Sequence, residues 1–135
     1  MRLLLDTNIP LEVMLGQAKE GEWRALLAEG AKHRLFISDF ALHSIGSVLF
    51  RRRQYGLFRE FLTDMIESGV LETVRLESAD LASCTGPGET FQLDFDDAYQ
   101  YVAAKKHDLV LVSFDADFDR TDRGRKTPAQ VLEGA

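Results

Sequence analysis

The length, composition and charge of the chain indicate one soluble globular domain over residues 1–135. It has 135 residues, 45% of them hydrophobic, and a formal net charge of −6 at pH 7, which allows one hydrophobic core but hardly two. No apolar stretch approaches the roughly 20 residues of a membrane helix, and no signal-peptide pattern begins the chain. We therefore expect a cytoplasmic protein, and the negative charge argues against binding nucleic acid by bulk electrostatics alone.

The first half of the chain alternates short apolar runs with helical periodicity. Leu3, Leu4 and Leu5 predict a buried strand that ends at the polar sequence Asp6-Thr7-Asn8. Apolar residues then recur at helical spacing in four segments, and a second short strand is predicted over 35–37. The helical segments are 9–15, 23–31, 39–49 and 58–66.

The second half adds two predicted strands and a well-defined helix start. The sequence "VLETVRL" predicts a third strand, and 78–82 a short helix, after which the glycines and proline of "CTGPGET" are expected to break the chain. Asp94 suits the N-cap of the next helix, with Asp97 three residues later. The apolar run "LVLV" at 109–112 is typical of a strand buried on both faces. Strands alternating with helices predict an α/β fold with a mainly parallel sheet.

Carboxylates lie at the ends of two predicted strands and at the start of one predicted helix. Asp6 follows the first strand, Asp94 and Asp97 begin a helix, and Asp115 follows "LVLV". Ligands of open α/β sheets bind at the carboxyl ends of the strands, so we expect these acids to converge. Clustered carboxylates repel one another unless a cation such as Mg²⁺ is bound, and a site of this kind suits hydrolysis of phosphate esters.

Each acid also has an interpretation that needs no metal. Asp94 can simply cap its helix, Asp6 and Asp115 can simply shape turns, and Asp117 and Asp119 are interpreted as surface or supporting acids. An EF-hand calcium loop starting at Asp115 is excluded because its sixth position would be Arg120 instead of glycine. A phosphatase that acts on small phosphoesters in an acidic pocket stays open as an alternative.

Four segments in order carry a family resemblance: "LLLDTNIPLEV", "FISDFALHSI", "FDDAYQYVAAKKHDLVLVSFDADFD" and "TPAQVL". With them the chain resembles the PIN-domain family, nearest to the VapC-type toxin ribonucleases. The resemblance implies a three-layer α/β/α sandwich around a five-stranded parallel sheet. It also implies hydrolysis of RNA phosphodiester bonds with Mg²⁺ or Mn²⁺, and it favours an antitoxin partner and a homodimer.

The resemblance assigns roles to particular residues. Asp6, Asp97 and Asp115 match the catalytic acids that bind the metal, and we expect Asp94 to support or join them. Asn8 and Ser113 match polar residues that orient the acids or the bound water.

One position departs from the family pattern. His43 stands where the family usually has a glutamate, and Asp39, four residues earlier on the helix, is expected to hold His43 or to act as the acid instead. Imidazole is a poorer Mg²⁺ ligand than carboxylate, which leaves open an alternative: a PIN-like domain that has lost catalysis and binds RNA or protein.

Three arginines close to the last acidic strand end are candidate RNA contacts. Arg120, Arg123 and Arg125 follow Asp115 within ten residues and could meet substrate phosphates. The sequence thus predicts a metal-dependent endoribonuclease that could be the toxin of a toxin–antitoxin pair. The alternative is a domain without catalytic activity that binds RNA or protein.

Overall fold

Four parallel strands form the centre of the molecule. The computed structural model describes residues 1–16 and 19–134. The strands are β1 (Arg2–Leu5), β2 (Arg34–Ser38), β3 (Leu71–Val74) and β4 (Val110–Val112), in the order β3-β2-β1-β4. All neighbours are parallel, and Leu3 pairs with Leu35 on one side and with Val110 on the other.

The expected fifth strand is absent from the described part of the chain, so that expectation is wrong. Within residues 113–134 the chain returns to the sheet only at Lys126, which forms one isolated parallel bridge with Val112. Gly124 bends the approach to this bridge with a φ of 64°, and Pro128 starts the last helix two residues after it. Because proline has no backbone N–H, the ladder cannot extend through it.

Helices cover both faces of the sheet. They are α1 (Asn8–Met14), α2 (Glu20–Ala28), α3 (Asp39–Arg51), α4 (Tyr55–Phe61), α5 (Thr85–Phe91), α6 (Phe95–His107) and α7 (Pro128–Gly134). A π-helical turn, Leu62–Glu67, extends α4, and short 3₁₀ segments lie at Gly30–Lys32, Ser78–Cys84 and Ala116–Arg120. None of the helices in residues 1–16 and 19–134 has the length and apolar character needed to cross a membrane.

The alternation of side chains along β1 divides the core in two. Leu3 and Leu5 pack on one face with buried residues of α1 to α4 and α7. Leu4 points the other way and packs with α6 and the segments around it. Successive strand residues face opposite sides, so a continuous apolar strand is what a sheet covered on both faces requires. The predicted α/β fold with a parallel sheet flanked by helices is confirmed.

The segment "CTGPGET" does not break the chain as expected. Residues Thr85–Phe91 form α5. Pro87 lies in the first turn, where a backbone N–H would have no partner within the helix, so proline is tolerated there. The helix ends at Gln92, which adopts the left-handed conformation with a φ of 56°, and the chain then turns directly into the N-cap of α6.

Candidate metal centre

Asp6 lies at the carboxyl end of β1 and is held by three hydrogen bonds. Its Oδ2 accepts a bond from Ser113 Oγ at 2.7 Å, and its Oδ1 accepts bonds from Gln100 Nε2 at 3.1 Å and from the Thr7 N–H at 2.9 Å. The side chain is buried, and burial raises its pKa above the usual value while the three donors oppose that rise. The carboxylate therefore has a fixed orientation in the protein interior.

Asp97 lies in the first turn of α6, close to the other acids. Asp94 is the N-cap of this helix, and its Oδ1 accepts the Asp97 N–H at 2.9 Å. Burial, followed by repulsion from Asp94, Asp115 and Asp6, raises the pKa of Asp97 to about 7. In the absence of a cation, burial and the neighbouring acids thus make the charged form of this carboxyl unfavourable.

Asp97, Asp115 and Asp117 form a compact acidic group. Each offers one carboxylate oxygen, and these oxygens lie within 4.8 Å of one another. Asp115 Oδ1 accepts the Asp117 N–H at 2.8 Å, which turns the chain into the 3₁₀ segment after β4. From the sequence, Asp117 is interpreted as a surface or supporting acid, whereas the structure makes it a member of the acidic group. The spacing of Asp117 from Asp115 could have indicated this role. An Asx-turn at the Asp that ends a strand brings the side chain two residues later to the same side of the turn.

Asp94 is not part of this acidic group. Its side chain is exposed and is used to cap α6. The structure places it beside Asp97, where it acts as a cap and as a source of negative potential.

Ser113 and Asn8 lie where a positioning role requires them. The Ser113 hydroxyl donates to Asp6 and accepts bonds from Asn8 Nδ2 at 3.2 Å and from the Asp115 N–H at 2.9 Å. Asn8 Oδ1 in turn accepts the Phe114 N–H at 3.3 Å. One hydroxyl therefore connects the ends of β1 and β4 and fixes the spacing between Asp6 and Asp115.

Gln100 is a part of the site that the sequence interpretation missed. It is 2% exposed and lies one turn after Asp97 on α6. Its Oε1 accepts a bond from Ser38 Oγ at 2.6 Å, while its Nε2 donates to Asp6. A glutamine at helical spacing from a site acid, on a face otherwise made of Ala, Tyr and Val, was the signal that could have revealed it.

His43 does not lie at the acidic pocket. It is exposed on α3 and lines a separate depression with Leu42, Gly46 and Phe50. Two other residues of α3 line the pocket of Asp6 and Asp97: Phe40 and Ser44, the residue directly after His43. Successive helix residues point about 100° apart, so an error of one position selects a different face.

Asp39 is also engaged elsewhere. Its Oδ1 accepts bonds from the Tyr99 hydroxyl at 2.6 Å and from the Phe40 N–H at 2.9 Å. No hydrogen bond joins Asp39 to His43 in the part of the chain that the structure describes, so the expected support of His43 by Asp39 is not seen.

The three candidate arginines have different positions. Arg120 donates to the Gln92 carbonyl at 2.9 Å and lies 3.5 Å from Asp117, with 45% of its side chain exposed beside the site. Arg125 donates to the Ser113 carbonyl at 3.0 Å and to both oxygens of Asp119, so it stabilises the turn after β4. Arg123 donates to the Leu109 carbonyl at the opposite end of β4. The structure therefore places Arg120 near the acids and Arg123 away from them.

A family comparison identifies the class of protein. The family model for the PIN domain matches residues 3–124, and the chain belongs to this family. The resemblance found in the sequence is thereby confirmed. No curated protein sequence matches this chain.

Several solved structures share the fold. A toxin–antitoxin complex from Klebsiella pneumoniae gives a TM-score of 0.69 at 22% identity, covering 93% of this chain and 97% of that one. VapC20 from Mycobacterium tuberculosis, a sarcin-ricin-loop-cleaving toxin, gives 0.72 at 19% identity and covers 87% and 92%. VapBC2 from Rickettsia felis, bound to a DNA fragment from its promoter, gives 0.72 at 17% identity and covers 93% and 97%. At these identities the similarity establishes a common fold.

Proposed function

We propose that the protein is a metal-dependent endoribonuclease that hydrolyses RNA phosphodiester bonds. The observation that carries the proposal is the convergence of Asp97, Asp115 and Asp117, whose carboxylate oxygens lie within 4.8 Å of one another beside buried Asp6. Membership of the PIN domain family supports it, as does the similarity in fold to a toxin that cleaves the sarcin-ricin loop.

The donor set fits Mg²⁺ or Mn²⁺. All members of the group offer carboxylate oxygen, the ligand type that these hard cations prefer. Burial, and after it repulsion from the neighbouring acids, raises the pKa of Asp97 to about 7, so its charged form is unfavourable without a cation. Asp97, Asp115 and Asp117 would hold the ion, Asp6 would add its fixed carboxylate at the inner side of the site, and Asp94 would add negative potential from the helix cap.

The protein's own residues supply orientation and charge. Ser113 and Gln100 fix Asp6, and the Asx-turn at Asp115 fixes the direction of Asp117. A divalent ion in such a site activates water and neutralises charge on the phosphate. Arg120, half exposed beside Asp117, is placed to contact a phosphate oxygen of the bound RNA.

We further propose that the chain is the toxin of a toxin–antitoxin pair. The support is that solved structures with this fold include a toxin–antitoxin complex from Klebsiella pneumoniae and a toxin from Mycobacterium tuberculosis. Coexpression with the product of the adjacent gene should give a stable complex whose nuclease activity is lower than that of the free chain. The homodimer and the cytoplasmic location stay predictions, to be tested by light scattering and by fractionation.

One observation favours the non-catalytic alternative. Helix α3 contributes Ser44, a hydroxyl, to the acidic pocket, and no carboxylate of α3 lines it among the described residues. A domain with an incomplete acid set would still bind RNA or protein. Asp117 offsets this loss because it brings one more carboxylate to the group, and for that reason we favour the nuclease.

Cleavage of a labelled, structured RNA tests the proposal. Wild-type protein should cut it with Mn²⁺ or Mg²⁺ and not with EDTA, and Asp97→Asn should be inactive although folded. Asp64→Asn, an exposed acid on the turn after α4, is the matched control and should cut normally. RNA left whole by a folded, metal-supplied wild type would favour the binding module, while hydrolysis of a generic phosphomonoester without RNA cleavage would favour the phosphatase.

A further inference from the structure

An exposed aromatic ring lies next to the acidic pocket. Phe95 is the first residue of α6, between Asp94 and Asp96, and it is 53% exposed. Its ring makes an edge contact with Phe40 at a centroid distance of 6.1 Å and with Tyr99 at 6.2 Å. Phe40 itself lines the pocket of Asp6 and Asp97. An apolar surface therefore runs from the pocket wall to Phe95.

The rings beneath Phe95 are held in place. Phe40 and Tyr99 pack at 5.2 Å, and the Tyr99 hydroxyl donates to Asp39 and accepts the Leu76 N–H at 3.1 Å. Phe95 thus rests on a support that is fixed by hydrogen bonds, while more than half of its own surface faces solvent. At the start of α6 this aromatic side chain lies among three acids, Asp94, Asp96 and Asp97.

The charges near the site provide little attraction for an RNA backbone. The chain carries a net charge of −6. Arg125 is occupied by Asp119 and the Ser113 carbonyl, and Arg120 is partly compensated by Asp117. A nucleic acid at this site needs another source of affinity besides the metal and Arg120. Stacking of a base on an exposed aromatic ring supplies it without cationic side chains.

We propose that Phe95 is a base-stacking residue that receives an unpaired nucleobase next to the phosphate held at the acidic site. The inference rests on the proposed function and names the residue through which the site would recognise unpaired RNA. In an A-form duplex the bases are stacked inside and cannot present a face to Phe95, whereas unpaired bases can splay out onto aromatic side chains. Because every base has such a face, the contact selects for the unpaired state more than for sequence.

Kinetic constants with matched variants test the role of Phe95. Phe95→Ala should raise KM for a single-stranded RNA by about 5- to 150-fold, the range expected for loss of one stacked base, and leave kcat nearly unchanged. Phe95→Trp should retain the wild-type KM, and Phe95→Leu, which is apolar but not aromatic, should behave like Phe95→Ala. Phe50→Ala is the control, because it also removes an exposed ring, one that is 56% exposed. Phe50 lies ten residues after Phe40 on α3, about 15 Å away, so this variant should leave KM and kcat unchanged.

A binding experiment separates this inference from the nuclease proposal. A short single-stranded RNA that contains 2-aminopurine is titrated with protein in Ca²⁺, and its fluorescence reports stacking directly. Quenching that is lost in Phe95→Ala and Phe95→Leu but kept in Phe95→Trp supports the stacking role even if no RNA is cleaved. The proposal is overturned if wild type gives no quenching, if Phe95→Ala binds as wild type does, or if Phe95→Ala weakens duplex RNA equally.

Discussion

Replacement of Asp97 by asparagine should change stability in opposite directions without and with metal. The pKa of Asp97 is raised from 3.8 to about 7 by burial and by neighbouring acids. Below pH 3.8 the carboxyl is protonated in both the folded and the unfolded chain, so it has no net effect. As the pH rises towards 7 the unfolded chain ionises first, and the folded protein loses stability until both forms are ionised.

The structure sets the size of the effect. The rise of the Asp97 pKa from 3.8 to about 7 would correspond to about 4 kcal/mol, but Asp97 is only partly buried and solvent screening reduces this to about 1–2 kcal/mol. Asparagine also gives up the attraction of a carboxylate to the start of α6, about 0.5 kcal/mol. We therefore expect metal-free Asp97→Asn to be more stable than wild type by about 1 kcal/mol at pH 8, a rise in Tm of about 4 °C, with the difference vanishing below pH 4.

Saturating Mn²⁺ should reverse the order. Ions at about 100 times Kd stabilise the folded protein that binds them by about 2.7 kcal/mol, and Asp97→Asn should show almost none of this gain. The assay is thermal unfolding followed by circular dichroism at pH 4 and pH 8, with EDTA or Mn²⁺, beside Asp64→Asn as a control that should follow wild type throughout. A metal-free variant less stable than wild type at pH 8 would refute the repulsion between the acids. Equal stabilisation of both proteins by Mn²⁺ would refute Asp97 as a ligand.

Three further predictions concern the residues around the acids. Gln100→Leu should lower the free energy of unfolding in urea by about 1–3 kcal/mol, because Asp6 loses one of the two donors to its Oδ1 and the buried Ser38 hydroxyl loses its acceptor; Gln54→Leu, which is exposed before α4 and makes no side-chain capping bond, should change it little. Ser113→Ala should weaken Mn²⁺ binding measured by calorimetry by about 10- to 100-fold, as expected for a residue that orients ligands, and unchanged affinity would exclude that role. Arg120→Ala should raise KM for RNA, and Arg123→Ala, at the opposite end of β4, should leave KM as in wild type.

The parts of the fold that the sequence predicts depend on local signals. Leu3 to Leu5 and the run at 109–112 are continuous apolar segments bounded by polar residues, and both form strands buried on the two faces. Asp94 is the N-cap of α6, as its spacing from Asp97 predicts. Because parallel strands end at one edge, the approach of Asp97 to Asp115 could also be inferred before the structure was known.

The parts that sequence reasoning missed depend on long-range geometry. Gln100 joins Ser38, 62 residues away, to Asp6, 94 residues away. The residues next to Gln100 in the sequence do not indicate either partner. The choice between His43 and Ser44 depends on the rotation of α3 about its axis, which a single residue changes by about 100°. Whether a fifth strand forms depends on whether the residues near Lys126 pair with β4 over several positions or at one position.

The hydrogen bonds around Asp6 run in one direction only. Ser38 Oγ accepts the Ala41 N–H and donates to Gln100, Gln100 donates to Asp6, and Ser113 donates to Asp6 from the other side. Each group in this relay donates in the direction of the carboxylate, so all of these bonds favour the ionised form of Asp6. At position 100 only an amide side chain can both accept the hydrogen bond from Ser38 and donate one to Asp6. A glutamate there, though nearly identical in shape, would set two acceptors against each other in the interior of the protein.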